Sequence, residues 1–550
     1  MSAPTAPAER LSGPLGRPRL PASPDGPALS ERGDSARGGA LPRALWWPAL
    51  IVAGLLCFVT FLAGGGLSLA RTTMVEMTLT LLAGAIVAGV VLFARSPPGA
   101  RGIWPAGLLV AFSALTALSV VWSVQPENSW QDAGRMFAYS GVFGASVALA
   151  GVTRARWPAL LGGVILAAAV VCGYALLTKV FPDQLDAGDV YARLRAPYSY
   201  WNAIGLTAAM GAIGCLWLGA RRSGHALLSA LAYPLMGLML VTLMLAYSRG
   251  ALVALLVGLT LWFVIVPLRL RGAAVLLSGA VGAAVAVAWA FSRHALSSDG
   301  VALAARTSAG HQFGVLLATV LVGLTLAGLV LGFTTSRRAP AIASRRRAGA
   351  LLLGILALAL VGFVGALAVS HRGLSGSISH GLHSLTDTHA RVPNTPGRLT
   401  AVSSVRARYW NEALKVFKAD PALGAGAEGY GTARLRYRSE TIDVRHAHGY
   451  VVQTLADLGV VGLALTIALL FAWMISAGRA TNPFNRRLVS WRTPWRWRRS
   501  PTPYTPERIG MLSMLTLVVV FGIHSTVDWT WYVPGDACVA LLCAGWLAGR

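Results

Sequence analysis

The 550-residue chain is 55% hydrophobic and only 12% charged, with mean hydropathy +0.61; soluble domains carry about 25% charged residues, so an ordinary water-soluble fold is excluded. The formal charge is +26, yet the basic residues flank apolar runs, which is the pattern of a membrane topology rather than a nucleic-acid surface. Cys57, Cys172, Cys215, Cys538 and Cys543 all fall inside apolar runs, leaving no disulfide framework and no metal-ligand spacing.

Residues 1–43, rich in Pro, Gly, Ser and Arg, have no apolar period and read as a disordered basic cytoplasmic tail with no signal peptide. About fourteen apolar runs follow, each long enough to cross a core about 30 Å thick. They lie near 44–70, 74–94, 105–123, 135–153, 158–178, 200–220, 226–246, 250–268, 273–292, 312–334, 349–370, 448–476, 509–527 and 533–549. In lipid each backbone N–H and C=O must be bonded within its own segment, so these runs are helices. The expected fold is all-α: a polytopic bundle with spans 1–11 over 44–370, one large loop over 371–447, and spans 12–14 over 448–550. With the N-terminus inside, 28 of the 47 Lys and Arg fall in cytoplasmic segments, and 11 of the others belong to the one long loop. Long loops cross regardless of charge, so this orientation satisfies the positive-inside rule. Arg337, Arg338, Arg345, Arg346 and Arg347, and the stretch Arg486 to Arg499 in the basic loop 477–508, then anchor the cytoplasmic face. Trp491, Trp495 and Trp497 mark an interfacial segment there.

The loop opens with HRGLSGSISHGLHSLTDTHARVPNTPGR, polar and turn-rich, which reads as disordered. In SSVRARYWNEALKVFKADP, Trp410, Ala413, Leu414 and Phe417 recur at helical spacing. This predicts an amphipathic surface helix over 404–419, capped by Ser403 or Ser404 and stopped by Pro421. PALGAGAEGYG then turns the chain back to span 12.

Five outward arginines carry the first chemical signal: Arg193, Arg195, Arg249, Arg406 and Arg408. A guanidinium fork suits a diphosphate, and the helix N-terminus beside Arg249 adds anion affinity; the plainer reading is a side chain that snorkels at a helix end. His446 and His448 stand where the loop enters span 12, as proton acceptors or as packed histidines. His524 and Asp528, four apart, are expected on one face near the outer end of span 13, as a functional pair or a helix-pinning one. Glu76 and Asp457 are further polar residues within spans. No phosphate-binding glycine loop, nucleotide fingerprint or Asp-x-Asp pair is present.

These residues bear a resemblance. RARYWNEALKVFKADPALGAGAEGYG followed by RHAHGYVVQTLADLGVVGL resembles the signature of the O-antigen ligase and polymerase superfamily. YSRGALVALLVGL resembles its Ser-Arg-Gly segment, RLRAPYSYWNAIGL its Arg…Asn segment with Asn202 in the asparagine place, and WSVQPENSW a further element. The resemblance implies a multi-span glycosyltransferase in the bacterial cytoplasmic membrane, needing no metal or other cofactor. Its donor would be a glycan on undecaprenyl diphosphate, and its acceptor a hydroxyl on a glycan, lipid or protein. Arg249 and Arg195 would hold the diphosphate and His448 would be the catalytic histidine. The family places Asn after that histidine, and this chain has Gly449. A repeat-unit polymerase and a protein O-oligosaccharyltransferase fit the same residues. A transporter would instead show internal repeats and a site at mid-membrane; here the polar residues cluster at one surface.

Overall fold

The computed structural model describes residues 46–66, 68–94, 102–221, 224–337, 342–371, 373–389, 392, 394–490 and 493–550, all within the unit Gly38–Arg550. The tail expected over 1–43 lies outside the described residues, as do Arg338, Trp491 and Arg492 among the expected cytoplasmic anchors. Eleven of the described helices are long and apolar enough to cross a membrane. Two shorter apolar helices, Arg249–Ile265 and Pro534–Ala548, occupy the places of expected spans 8 and 14, and Ile342–Ala368 that of span 11. The chain is an all-α polytopic membrane protein.

Three elements depart from the sequence reading. Helix Pro126–Val152 begins well before residue 135, with Pro126 and Glu127 favouring its N-terminus and with Asp132 and Arg135 paired within it. Helix Gly373–Thr386 fills the stretch read as turn-rich; Leu374, Ile378, Leu382 and Leu385 recur there at helical spacing beneath the glycines and serines. The antiparallel strands Arg486–Ser490 and Thr493–Arg499 form a hairpin in the basic loop, where Trp495 and Trp497 alternate with Arg496 and Arg498.

Packing centres on helix Trp201–Ala220, which is buried along most of its length. Lipid offers no hydrophobic drive between helices, so close packing of small residues does this work. A Cβ at Gly211 would lie 2.6 Å from Met239 Sδ, and one at Gly214 would lie 2.5 Å from Ile165 Cγ1.

The connections sort into two ends. At one, Arg271 donates to the carbonyl of Arg221 at 3.1 Å, Arg550 pairs with Glu507, and Arg508 donates to the carbonyls of Thr481 at 2.9 Å and Asn482 at 2.6 Å. At the other, Val124 bonds Ala425, Leu194 bonds Leu245, and Arg406 meets Asp528. These are the two alternating sets that the arginine count separates.

The long loop is stitched to the top of helix Tyr450–Thr481. Gly459 interrupts that helix with φ +60°, a conformation glycine adopts without a Cβ penalty. The freed N–H groups of Val460 and Val461 donate to the carbonyls of Pro421 and Ala422 at 2.9 and 3.3 Å, and Ala425 N donates back to Ala456 O at 2.9 Å. Asp457 accepts from Tyr430 N and from Gln453 Nε2, each at 2.8 Å. The loop has its own core, in which Arg434 donates to Glu412 at 2.6 Å with both side chains buried. Glu412→Ala strands that guanidinium and should cost about 3–5 kcal/mol. Limited proteolysis of the purified chain should then cut within 391–445 at doses that spare the wild type; equal resistance would contradict the assignment.

Candidate functional site

At the end of the bundle carrying the long loop, four elements deliver polar side chains to one place. Asp528 follows helix Pro506–Val527 and is itself extended, with φ −150° and ψ 169°. It therefore leaves the helical face of His524, correcting the expectation that the two share one. Its carboxylate is fully buried and accepts from Tyr200 Oη at 2.5 Å, Asn202 Nδ2 at 2.7 Å, Arg406 Nη2 at 2.5 Å and its neighbour's backbone, Trp529 N, at 2.8 Å. Burial works to raise Asp528, but Arg406, His524, His448 and the Tyr200 hydroxyl together hold it down at about 2. It is an anion at any physiological pH.

Arginines surround this anion. Arg406 opens helix Arg406–Ala419 and keeps a buried Nε without a partner. Arg249 opens helix Arg249–Ile265, whose cap is Ser248, and donates to the carbonyls of Ala401 and Ser403. Arg193 is 1% exposed. It donates to the carbonyls of Ala246 at 3.0 Å and Tyr247 at 3.4 Å, to Asn202 Oδ1 at 3.5 Å and to Asn394 Oδ1 at 3.3 Å, and it lies over the Trp201 ring at 4.2 Å. Burial, then the charge of Arg398, pushes it below its ordinary value. Arg398 itself is lowered to about 10, first by burial and then by Arg249 and Arg406. Asn394 and the 401–403 carbonyls thus tie one strap of the loop across Arg193 and Arg249, with Arg398 between the fastenings.

His448 stands beside this cluster with φ +55°. Its Nδ1 lies 2.9 Å from the carbonyl of His446. A carbonyl only accepts, so Nδ1 carries the proton and Nε2 presents a lone pair. Burial lowers the His448 pKa, Asp528 raises it, Arg406 lowers it and the His446 carbonyl raises it; the balance is downward.

The structure thus gathers Arg193, Asn202, Arg249, Arg406, His448 and Asp528. The other expected residues have their bonds with other partners. Arg195 pairs with Asp189 at 3.0 Å and lies over Tyr191. Arg408 bonds the Thr388 carbonyl and pairs with Glu440, bracing the loop. His524, fully buried, bonds Thr530 Oγ1 at 3.0 Å and points its Nε2 at Gly250. His446 is stacked between Trp529 and Tyr532, with ring centroids at 4.7 and 4.6 Å, and burial foremost pushes it down to about 4, so it is neutral.

Residues not singled out from the sequence complete the arrangement. Tyr200 and Arg398 belong to the cluster. Below His446, Arg135 pairs with Asp132 and with Glu428, the latter at 2.6 Å, and lies over the Tyr532 ring at 4.6 Å. The available signals were Asp132 and Arg135 three apart in an apolar helix, and one acid inside GAGAEGYG. The donor set at the main cluster is guanidinium-rich, which suits an anion and not a cation.

Residues 312–467 match the family model described as O-antigen ligase. Over these residues the chain is similar to the O-antigen ligase family. A search of curated proteins found no match. The matched segment holds Arg398, Arg406 and His448 of the cluster, besides Arg408, Glu428 and His446; Arg193, Asn202, Arg249 and Asp528 come to the cluster from outside it. The match supports an O-antigen ligase or polymerase type of function in general.

Proposed function

We propose that the protein transfers a glycan from undecaprenyl diphosphate to an acceptor hydroxyl at the outer face of the bacterial cytoplasmic membrane. The observation that carries this reading is the charge imbalance of the cluster: Arg249, Arg398 and Arg406 lie within electrostatic reach of one another, and Asp528, bonded to Arg406, is the carboxylate that offsets them. That surplus matches a doubly charged diphosphate, and guanidinium forks fixed in a partly buried site stabilise charge without reorganising. Arg249, Arg398 and Arg406 bind the donor, while Arg193, with its donors spent on protein carbonyls and amides, holds the frame. Neutralising the leaving group falls to these side chains rather than to a divalent ion.

In the transfer, the acceptor oxygen attacks the anomeric carbon while the bond from that carbon to the phosphate oxygen breaks, its electron pair leaving with the diphosphate. His448 Nε2 takes the hydroxyl proton. One direct displacement inverts the anomeric centre. The test of the binding half is affinity for undecaprenyl diphosphate in nanodiscs. Arg249→Ala should weaken it about 10–100-fold, one charge-assisted hydrogen bond being worth about 1.5–3 kcal/mol, and undecaprenyl monophosphate should bind less tightly than the diphosphate. Equal affinity of wild type and variant would sink the reading.

A pH dependence follows from the lowered His448. The base must be neutral, so kcat/KM should stay flat at and above pH 6.5, an ordinary histidine value. It should fall only as pH drops through the lowered pKa. An acid limb centred above pH 6.5 would contradict His448 as that base.

A further inference from the structure

We propose that Trp410 is the positioning residue for His448, fixing the histidine main chain so that its imidazole faces the arginine cluster; this rests on the glycan-transfer reading above. Trp410 Nε1 donates to the His448 carbonyl at 3.1 Å. The anchored residue needs holding: His448 has φ +55°, a region that only a few per cent of non-glycine residues adopt, histidine among the more tolerant, and a main chain released there is free to return to negative φ and swing the ring. The next position is shaped by the same indole. A Cβ on Gly449 would meet Trp410 Nε1 and the Thr526 carbonyl, both at 3.0 Å. The family's asparagine would therefore begin in tight contact with the indole and the Thr526 carbonyl, each of which would have to give by a few tenths of an ångström.

One face of a single helix delivers the whole device. Arg406 and Trp410 are four residues apart on helix Arg406–Ala419. Arg406 grips Asp528 at 2.5 Å, Trp410 grips the His448 carbonyl, and the ring of Tyr409 lies 5.4 Å from that of His448. The surface helix thus sets the spacing between the anion-binding side chain and the base.

The test uses the full chain in nanodiscs and two readouts. Diethyl pyrocarbonate footprinting with mass spectrometry reports the His448 imidazole directly, with exposed His371 and His389 as internal references. Trp410→Phe keeps an aromatic ring and removes the N–H. It should change the His448 modification rate at least fivefold and leave the references unchanged. With undecaprenyl-diphosphate-linked glycan extracted from host membranes, kcat should fall about tenfold at unchanged donor KM. Gly449→Ala should reproduce both effects in the wild type and do so more weakly on the Trp410→Phe background, where the indole N–H no longer crowds the new methyl. If Trp410→Phe fails to fold, Gly449→Ala alone carries the test. An unchanged His448 footprint and unchanged kcat would overturn the proposal. A changed footprint in a protein whose wild type transfers no glycan supports the positioning role and refutes the glycan-transfer reading instead.

Discussion

His448→Ala should lower glycan transfer by about 10²–10⁴-fold, the range for loss of a positioned general base, while affinity for undecaprenyl diphosphate stays within about twofold. The asymmetry follows from the division of labour in the cluster. The imidazole offers Nε2 as a lone pair, because its Nδ1 proton is committed to the His446 carbonyl, and a neutral lone pair contributes little to holding a diphosphate. Its task arises only when the acceptor hydroxyl loses its proton. Purified protein, a lipid-linked donor and single-turnover kinetics separate the two quantities. Parallel losses of affinity and rate would mean that His448 binds the donor rather than serving as base.

Arg406→Ala and Asp528→Asn should move the acid limb of the reaction in opposite directions. Asp528 favours the protonated form of His448 and Arg406 disfavours it. Removing the carboxylate charge lowers the histidine pKa further, so Asp528→Asn should stay active to lower pH than the wild type. Removing the guanidinium raises it, so Arg406→Ala should lose activity at higher pH. The two also differ in donor affinity. Arg406→Ala deletes an anion ligand and should weaken undecaprenyl diphosphate about 10–100-fold; Asp528→Asn makes the site more positive and should not weaken it. Both break a buried pair with 2.5 Å between Arg406 Nη2 and Asp528 Oδ2, so each should lose about 3–5 kcal/mol of stability, and the profiles are best taken at a temperature where both remain folded. Limbs that shift together would show that the pair acts only as a structural tie.

The bundle was legible because apolar runs in lipid admit one local solution, and because arginine placement separates the alternating ends. The motifs at Arg249, Arg406 and His448 were legible as positions in a chain, and their convergence was not: it depends on Tyr200, Asn202 and Asp528 meeting across more than 300 residues. The first turns of helix Pro126–Val152 carry polar residues and so lay outside the apolar run at 135–153; Arg135 is held there by Asp132 and by Glu428, nearly 300 residues on. Arg398 belongs to no periodic pattern, and only the strap fastened to Arg193 and Arg249 brings it to the cluster. Arg195 and Arg408 look equivalent to Arg406 in sequence; their neighbours Asp189 and Glu440 decide otherwise. The break at Gly459 was hidden for a similar reason, since Pro421 and Ala422 supply the carbonyls that the helix gives up.

A cryo-electron microscopy map of the protein in nanodiscs with undecaprenyl diphosphate tests the convergence most directly. Diphosphate density should lie between Arg249, Arg398 and Arg406, with its distal phosphate facing His448 and the prenyl chain leaving sideways into lipid. Density at the opposite end of the bundle, or bound away from all three guanidinium groups, would contradict it.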